Sequence, residues 1–148
     1  MPYSRSWAFN VGASVSNAEL LIMHDNDMLI PHNYSKQMLS RHLDGYDIIN
    51  LKRFIFYLSQ AHSQRIQNKR QLALDEPPDA VVQNLEAGGS FGTTKSAYES
   101  IGGFDEAFVG WGGEDNEFWE RAQTKRVWTY GYMPLVHLWH EAQPEKLD

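Results

Sequence analysis

Gly110-Trp111-Gly112-Gly113-Glu114-Asp115 sets one large aromatic among three glycines and follows it with two adjacent carboxylates. Glycine accepts backbone angles closed to other residues, so such a segment can bend sharply or swing. The acids then open a helix, where the peptide dipole favours negative charge. A mobile aromatic beside fixed acids reads as a substrate lid over a catalytic base. The plainer alternative is a Gly-rich turn leading into an acid-capped surface helix. A general base must sit beside the hydroxyl it deprotonates. Neighbouring helix positions do not share a face, so at most one of Glu114 and Asp115 is expected to be that base. The other would hold the acceptor or cap the helix.

Two further groupings could bind a metal. Asp25-Asn26-Asp27 follows the apolar run Leu20-Leu21-Ile22-Met23. Ligand sites of open α/β sheets lie at the carboxyl ends of strands, where these acids would fall. Two carboxylates one residue apart can reach one cation and a nearby ribose or phosphate, and Mg²⁺ or Mn²⁺ suits such oxygen donors. Met28-Leu29-Ile30-Pro31 breaks the pattern of a calcium loop. An Asx-type turn is the alternative. His137 and His140 form the other grouping. On a regular strand, residues three apart point to opposite faces, so both could meet one ion only where the chain turns. Otherwise one is a core histidine and the other a surface histidine. His24, His32, His42 and His62 stand at no ligand spacing.

The elements that must position these residues alternate between helix and strand, which makes the chain α/β. Trp7, Val11, Val15 and Ala18 have helical spacing. Leu20 to Met23 has the look of a buried parallel strand. A polar helix is expected over 32–43, with Tyr34, Met38 and Leu39 inward. Strands are expected at 46–51, with 53–58 prolonging it or starting another, at 127–130 and at 134–140. Short helices are expected at 95–101 and from Asp115 onward. The stretch 61–85, rich in Gln, Arg, Lys and Asn and ending near Pro77-Pro78, reads as an exposed helix and a Pro-stopped loop within a single domain spanning 1–148.

Composition narrows the function. At 148 residues and 17.0 kDa the chain can bury a real core. A net charge of −6, with no basic stripe, argues against a nucleic-acid partner and suits a divalent cation that neutralises a ligand's phosphates. The absence of cysteine excludes disulfides and thiolate metal sites. No apolar run approaches the ~20 residues of a membrane span. The N-terminus lacks the layout of a signal peptide, so a soluble, cytoplasmic protein is expected, at most peripheral to a membrane.

Together these pieces resemble the nucleotide-sugar-dependent glycosyltransferases of the GT-A fold, above all the β-1,4-galactosyltransferase C-terminal domain and related bacterial family-2-type transferases. Four segments match in order. Arg5 to Gly12 is similar to the family's Arg…Asn-x-Gly helix, and His24 to Pro31 to its Asp-x-Asp strand end. Gly88-Gly89, Gly102 to Glu106 and Gly110 to Asp115 resemble its donor-sugar and acceptor segment. His137-x-x-His140 falls where the family completes its metal site. The match covers nearly the whole chain except the polar insert 61–85.

The resemblance implies a mixed sheet flanked by helices, forming the metal, donor-sugar and acceptor half of the fold. It implies a transferase, inverting by expectation, that moves a hexose from a nucleotide-diphosphate sugar, UDP-sugar favoured, to a hydroxyl of a glycan or similar acceptor. Asp27 would bind Mn²⁺ or Mg²⁺ at the donor diphosphate, with Asp25 nearer the ribose. His140 would be a metal ligand, and His137 stands where the galactosyltransferases carry a Met ligand. Arg5, Asn10, Gly88 and Gly89 would face the donor. Asp115 would be the base, Glu114 a sugar contact and Trp111 the mobile acceptor platform. In this fold the first βα units, which grip uracil and ribose, precede the Arg…Asn-x-Gly helix. The chain therefore looks like the C-terminal part of a transferase, and weak nucleotide binding by it alone is expected. A sheet face left uncovered would favour a homo-oligomer. A non-catalytic carbohydrate- or partner-binding module on the same fold is the main alternative. A metallophosphoesterase or nuclease using Asp25, Asp27, His137 and His140 is a third.

Overall fold

The computed structural model describes residues 4–69 and 73–142. Residues 1–3, 70–72 and 143–148 lie outside it, and with them parts of the expected polar start, insert and tail. The chain runs α1 (Arg5–Val15), β1 (Leu20–His24), β2 (Met28–Leu29), α2 (Tyr34–Leu43), β3 (Ile48–Ile49) and β4 (Lys52–Tyr57). It continues α3 (Gln60–Lys69), β5 (Ala80–Gln83), β6 (Ser90–Thr94), α4 (Lys95–Ser100), α5 (Glu114–Ala122), β7 (Val127–Trp128) and β8 (Met133–His137).

The strands form two mixed sheets. One has the order β1-β6-β3-β7 and the other β2-β8-β4-β5. Among the described residues, only β3 with β7 and β4 with β8 run parallel. The apolar run of β1 pairs antiparallel with β6, contrary to the parallel strand it suggests. The burial pattern explains the difference. Leu21 and Met23 are buried while Ile22 between them is exposed, the alternation of a strand covered on one face.

The α1 helix forms over Trp7, Val11 and Val15 but ends there, leaving Ala18 outside it, and the Ser4 side chain caps its start by accepting the Trp7 amide. The apolar stripe, however, faces out: Trp7 and Val15 are 51% and 74% exposed, while Ser6 and Ala13 are buried. The inward face carries Arg5, Phe9 and Asn10, whose polar groups have partners described below. In α2, Tyr34 and Met38 are fully buried, but Leu39 is 49% exposed. An i, i+4 pair fills the stripe, and the next position rotates away from it. Within the 61–85 stretch the expected helix forms as α3. The expected loop contains an unforeseen strand, β5, which pairs with β4 from Phe54–Gln83 to Tyr57–Ala80. All four β5 residues are exposed, so no burial pattern marked it.

Two core layers hold the sheets. Tyr98, Phe91, Phe104 and Phe118 pack beneath α1, α4 and α5, with Phe104 stacked on Phe118 at 4.4 Å between ring centroids. Tyr34 and Met38 of α2 close the other side over Ile49, Leu51, Ile55 and Leu135. Rings of this size bury the most apolar area per residue, which is why they dominate so small a core. Among the described residues no helix is long and apolar enough to cross a membrane. The feature that matters for function is a seam. The chain leaves the first sheet at the end of β1, turns through Asp25 to Asp27 and enters the second as β2.

Candidate functional site

That seam opens into a cleft of about 610 Å³. Its walls come from the end of β1, the Gly88-Gly89 approach to β6, the end of β4, the end of β8 and the start of α5.

At one side, three potential metal ligands converge. The Asp25–Met28 turn is closed by the Met28 amide donating to the Asp25 carbonyl at 3.1 Å and braced by His24 Nε2 on the Met28 carbonyl at 3.0 Å. It presents Asp27 to β8. The Asp27 Oδ2 lies 3.4 Å from His137 Nε2 and 3.1 Å from His140 Nε2. All three donor atoms lie within 4.8 Å of one another. The strand ends at His137 and His140 lies beyond it in irregular backbone, where the strict alternation of faces no longer holds, and the two rings come to 5.1 Å. Asp27 Oδ1 is buried with no hydrogen-bond partner among the described residues. The His137 hydrogen bond holds the Asp27 carboxyl below its usual value, against the opposing effect of burial. An orphaned carboxylate oxygen beside two imidazoles is a donor set that fits a divalent cation.

Across the cleft, Arg5 gathers the other acids. Its Nε donates to Asp25 Oδ1 at 2.7 Å, and its Nη1 donates to Asp115 Oδ1 and lies 3.4 Å from Glu114 Oε1. Burial opposes its charge, but Asp25 and Asp115 outweigh that and raise its pKa. Its guanidinium also lies 4.6 Å above the Phe9 ring. Glu114 and Asp115 thus reach one guanidinium although they are consecutive, because they stand at the helix entry where the chain is still turning. Gly113, the N-cap, has φ of 89°, a left-handed angle that admits glycine and strains other residues. Glu114 is buried and Asp115 half-buried. A Cβ at Gly88 would come within 2.4 Å of Asn84 Nδ2 and 3.3 Å of Asp115 Oδ2, so a larger residue there would push the Asn84 side chain aside and crowd the acid.

Of the residues expected at the site, Asp25, Asp27, His137, His140, Arg5, Gly88, Gly89, Trp111, Glu114 and Asp115 all line the cleft. Trp111 is 61% exposed at its rim. Asn10 is not brought there, which corrects its expected place beside a donor. Its amide donates to the Phe104 carbonyl at 2.9 Å and to Glu106 Oε1 at 2.8 Å. Its oxygen accepts from the Tyr98 hydroxyl at 2.6 Å and the Phe104 amide at 3.0 Å. Every hydrogen-bonding position of the side chain is committed to the 98–106 segment, so Asn10 holds the loop and has none left for a ligand.

Two neighbours went unseen in the sequence. Tyr57, paired in register with His137 across the parallel β4–β8 ladder, stacks on its ring at 4.5 Å. Lys52 is fully buried, yet its ammonium donates to Asn50 Oδ1 at 3.1 Å, the Glu86 carbonyl at 2.5 Å and the Ser90 carbonyl at 3.2 Å. It thereby clamps both flanks of Gly88-Gly89. Burial pushes its pKa down to about 7. A lysine in an apolar-aromatic strand was the one available signal, since such a charge is buried only when paired.

Known proteins similar to this chain are galactosyltransferases. A family model described as the N-terminal domain of galactosyltransferase matches residues 81–137. More particularly, the chain is 29% identical over 130 residues to beta-1,4-galactosyltransferase 5 of Sus scrofa, covering 82% of this chain and 26% of that protein. The same enzyme of Danio rerio is 27% identical over 129 residues, covering 82% and 27%. The catalytic domain of Drosophila beta1,4-galactosyltransferase 7, solved with xylobiose, superposes with a TM-score of 0.59 at 17% identity, covering 99% of this chain and 59% of that one. A mutant of it, in complex with manganese, UDP-Gal and xylobiose, gives 0.53 at 17%, covering 95% and 52%. The chain therefore resembles the β-1,4-galactosyltransferases, and its α/β architecture is a partial GT-A fold. It spans about a quarter of the length of the curated relatives it matches.

Proposed function

We propose that this chain carries the metal, donor-sugar and acceptor portion of a glycosyltransferase, moving a hexose from a nucleotide-diphosphate sugar to an acceptor hydroxyl with inversion. The observation that carries the reading is the convergence of Asp27, His137 and His140 on one side of a cleft whose other side is Asp115. Charge supports it as well. Among the described residues lining the cleft, Arg5 is the sole Lys or Arg, against Asp25, Asp27, Glu114 and Asp115. A diphosphate entering alone would meet repulsion, so the donor is expected to need a cation.

Asp27, His137 and His140 would hold that cation, and imidazole donors favour Mn²⁺ over Mg²⁺. When bound, it would offset charge on the departing diphosphate. Asp115 would take the proton of the acceptor hydroxyl as its oxygen attacks the anomeric carbon from the opposite face. Arg5 fixes one Asp115 oxygen and leaves the other toward the Gly88 wall. Glu114 would bind a sugar hydroxyl, and Trp111 would offer its face to sugar C–H groups at the rim. Asp25, already tied to Arg5, would stand nearer the ribose.

The test is release of UDP from millimolar UDP-Gal by the purified chain, with and without Mn²⁺ and with a glycan acceptor. Slow, Mn²⁺-dependent release, faster with acceptor, is expected. Binding of UDP-Gal without any release at any Mn²⁺ concentration would favour the non-catalytic carbohydrate-binding reading.

A further inference from the structure

The polar stretch that carries no chemistry of its own reaches the metal-side cluster through one buried hydroxyl. Ser63 lies on α3 and is 2% exposed. Its Oγ accepts the backbone N–H of Trp139 at 2.8 Å. Trp139 directly precedes His140, in the irregular segment that follows β8. The preceding amide, of Leu138, donates to the Asp27 carbonyl at 2.9 Å. Two consecutive amides of this segment are therefore anchored, one by the loop that carries Asp27 and one by α3.

His140 needs such anchoring more than its partners do. His137 is held inside the β8 ladder and stacked on Tyr57. His140 lies beyond the strand and is exposed. Its Nδ1 contacts only the adjacent Glu141 carbonyl among the described residues, at 2.7 Å. The helix that supplies the anchor is itself firmly seated. Ile66 packs on Leu58 and Val136. His62, 1% exposed, bonds the Ala73 carbonyl through Nε2 at 2.7 Å, and its Nδ1 lies 3.2 Å from Glu76 Oε1. Ser59 caps the first turn by accepting the His62 amide at 3.1 Å.

We propose that Ser63 is a positioning residue for the metal centre, fixing the segment after β8 that delivers His140 to Asp27. The proposal rests on the reading of Asp27, His137 and His140 as metal ligands. Groups that only orient a ligand contribute roughly 10- to 100-fold to metal affinity, and a single backbone bond belongs at the lower end.

The experiment titrates Mn²⁺ into the full chain and its variants, counting free ion by electron paramagnetic resonance, with hydrogen exchange at the Trp139 amide measured in parallel. Ser63→Ala should bind Mn²⁺ about 10-fold more weakly and exchange the Trp139 amide faster even without metal. Ser59→Ala weakens the same helix without touching Trp139, so it should lower the melting temperature and leave the Mn²⁺ affinity as in the parent. Wild-type affinity in Ser63→Ala, or an equal loss in Ser59→Ala, would overturn the positioning role. A parent chain that binds no Mn²⁺ at all would instead remove the metal-site reading, and this proposal with it.

Discussion

Asp27→Ala is expected to fold and to lose Mn²⁺ binding, together with all Mn²⁺-dependent release of UDP. The side chain is the one anionic donor of the three, and its Oδ2 is the atom both imidazoles face, at 3.4 and 3.1 Å. Without it two imidazoles remain, and an imidazole donor brings no negative charge to a dication. Partners that merely orient a ligand are worth roughly 10- to 100-fold, so loss of the anionic ligand itself should exceed about 100-fold. The fold should tolerate the change. The Asp27 contact that ties down Leu138 uses the backbone carbonyl, which alanine keeps. Calorimetric titration with Mn²⁺ reads the result directly. An unchanged affinity would remove Asp27 from the site.

Asp115→Asn should do the opposite: Mn²⁺ binding stays and turnover falls. Asparagine keeps the shape and an oxygen for the Arg5 contact but cannot take a proton at neutral pH. General bases contribute roughly 100- to 10,000-fold, which sets the expected drop in kcat. Arg5 remains paired with Asp25 at 2.7 Å, so the cleft should keep its form. Glu114→Gln is the comparison. If Glu114 were the base, the two losses would be exchanged. Full turnover in Asp115→Asn, measured with saturating acceptor, would contradict the assignment.

The sequence exposed those parts of the site whose chemistry is local. Asp25 and Asp27 sit one residue apart, Glu114 and Asp115 are adjacent, and glycines announce the turns around them. The reading of His137 and His140 depended on the strand not continuing between them, and β8 ends at His137. What stayed hidden depends on pairing between distant segments. Tyr57 reaches His137 only because β4 and β8 run parallel in that register. Lys52 and Ser63 act through backbone groups of Glu86, Ser90 and Trp139, which no residue type reveals. Asn10 stands in a recognisable motif yet spends its amide on Phe104, Glu106 and Tyr98. Periodicity failed for a related reason. It marks an apolar stripe on α1, but which stripe is covered depends on what packs there, and the Arg5 side of the helix meets the acids.

The most direct measurement is anomalous diffraction at the manganese edge from crystals of the chain soaked in Mn²⁺. A single peak ligated by Asp27 Oδ2 and by Nε2 of both His137 and His140, inside the cleft that Asp115 faces, is the expected result. A peak on any other group of acids, with these three side chains unmoved, would contradict it.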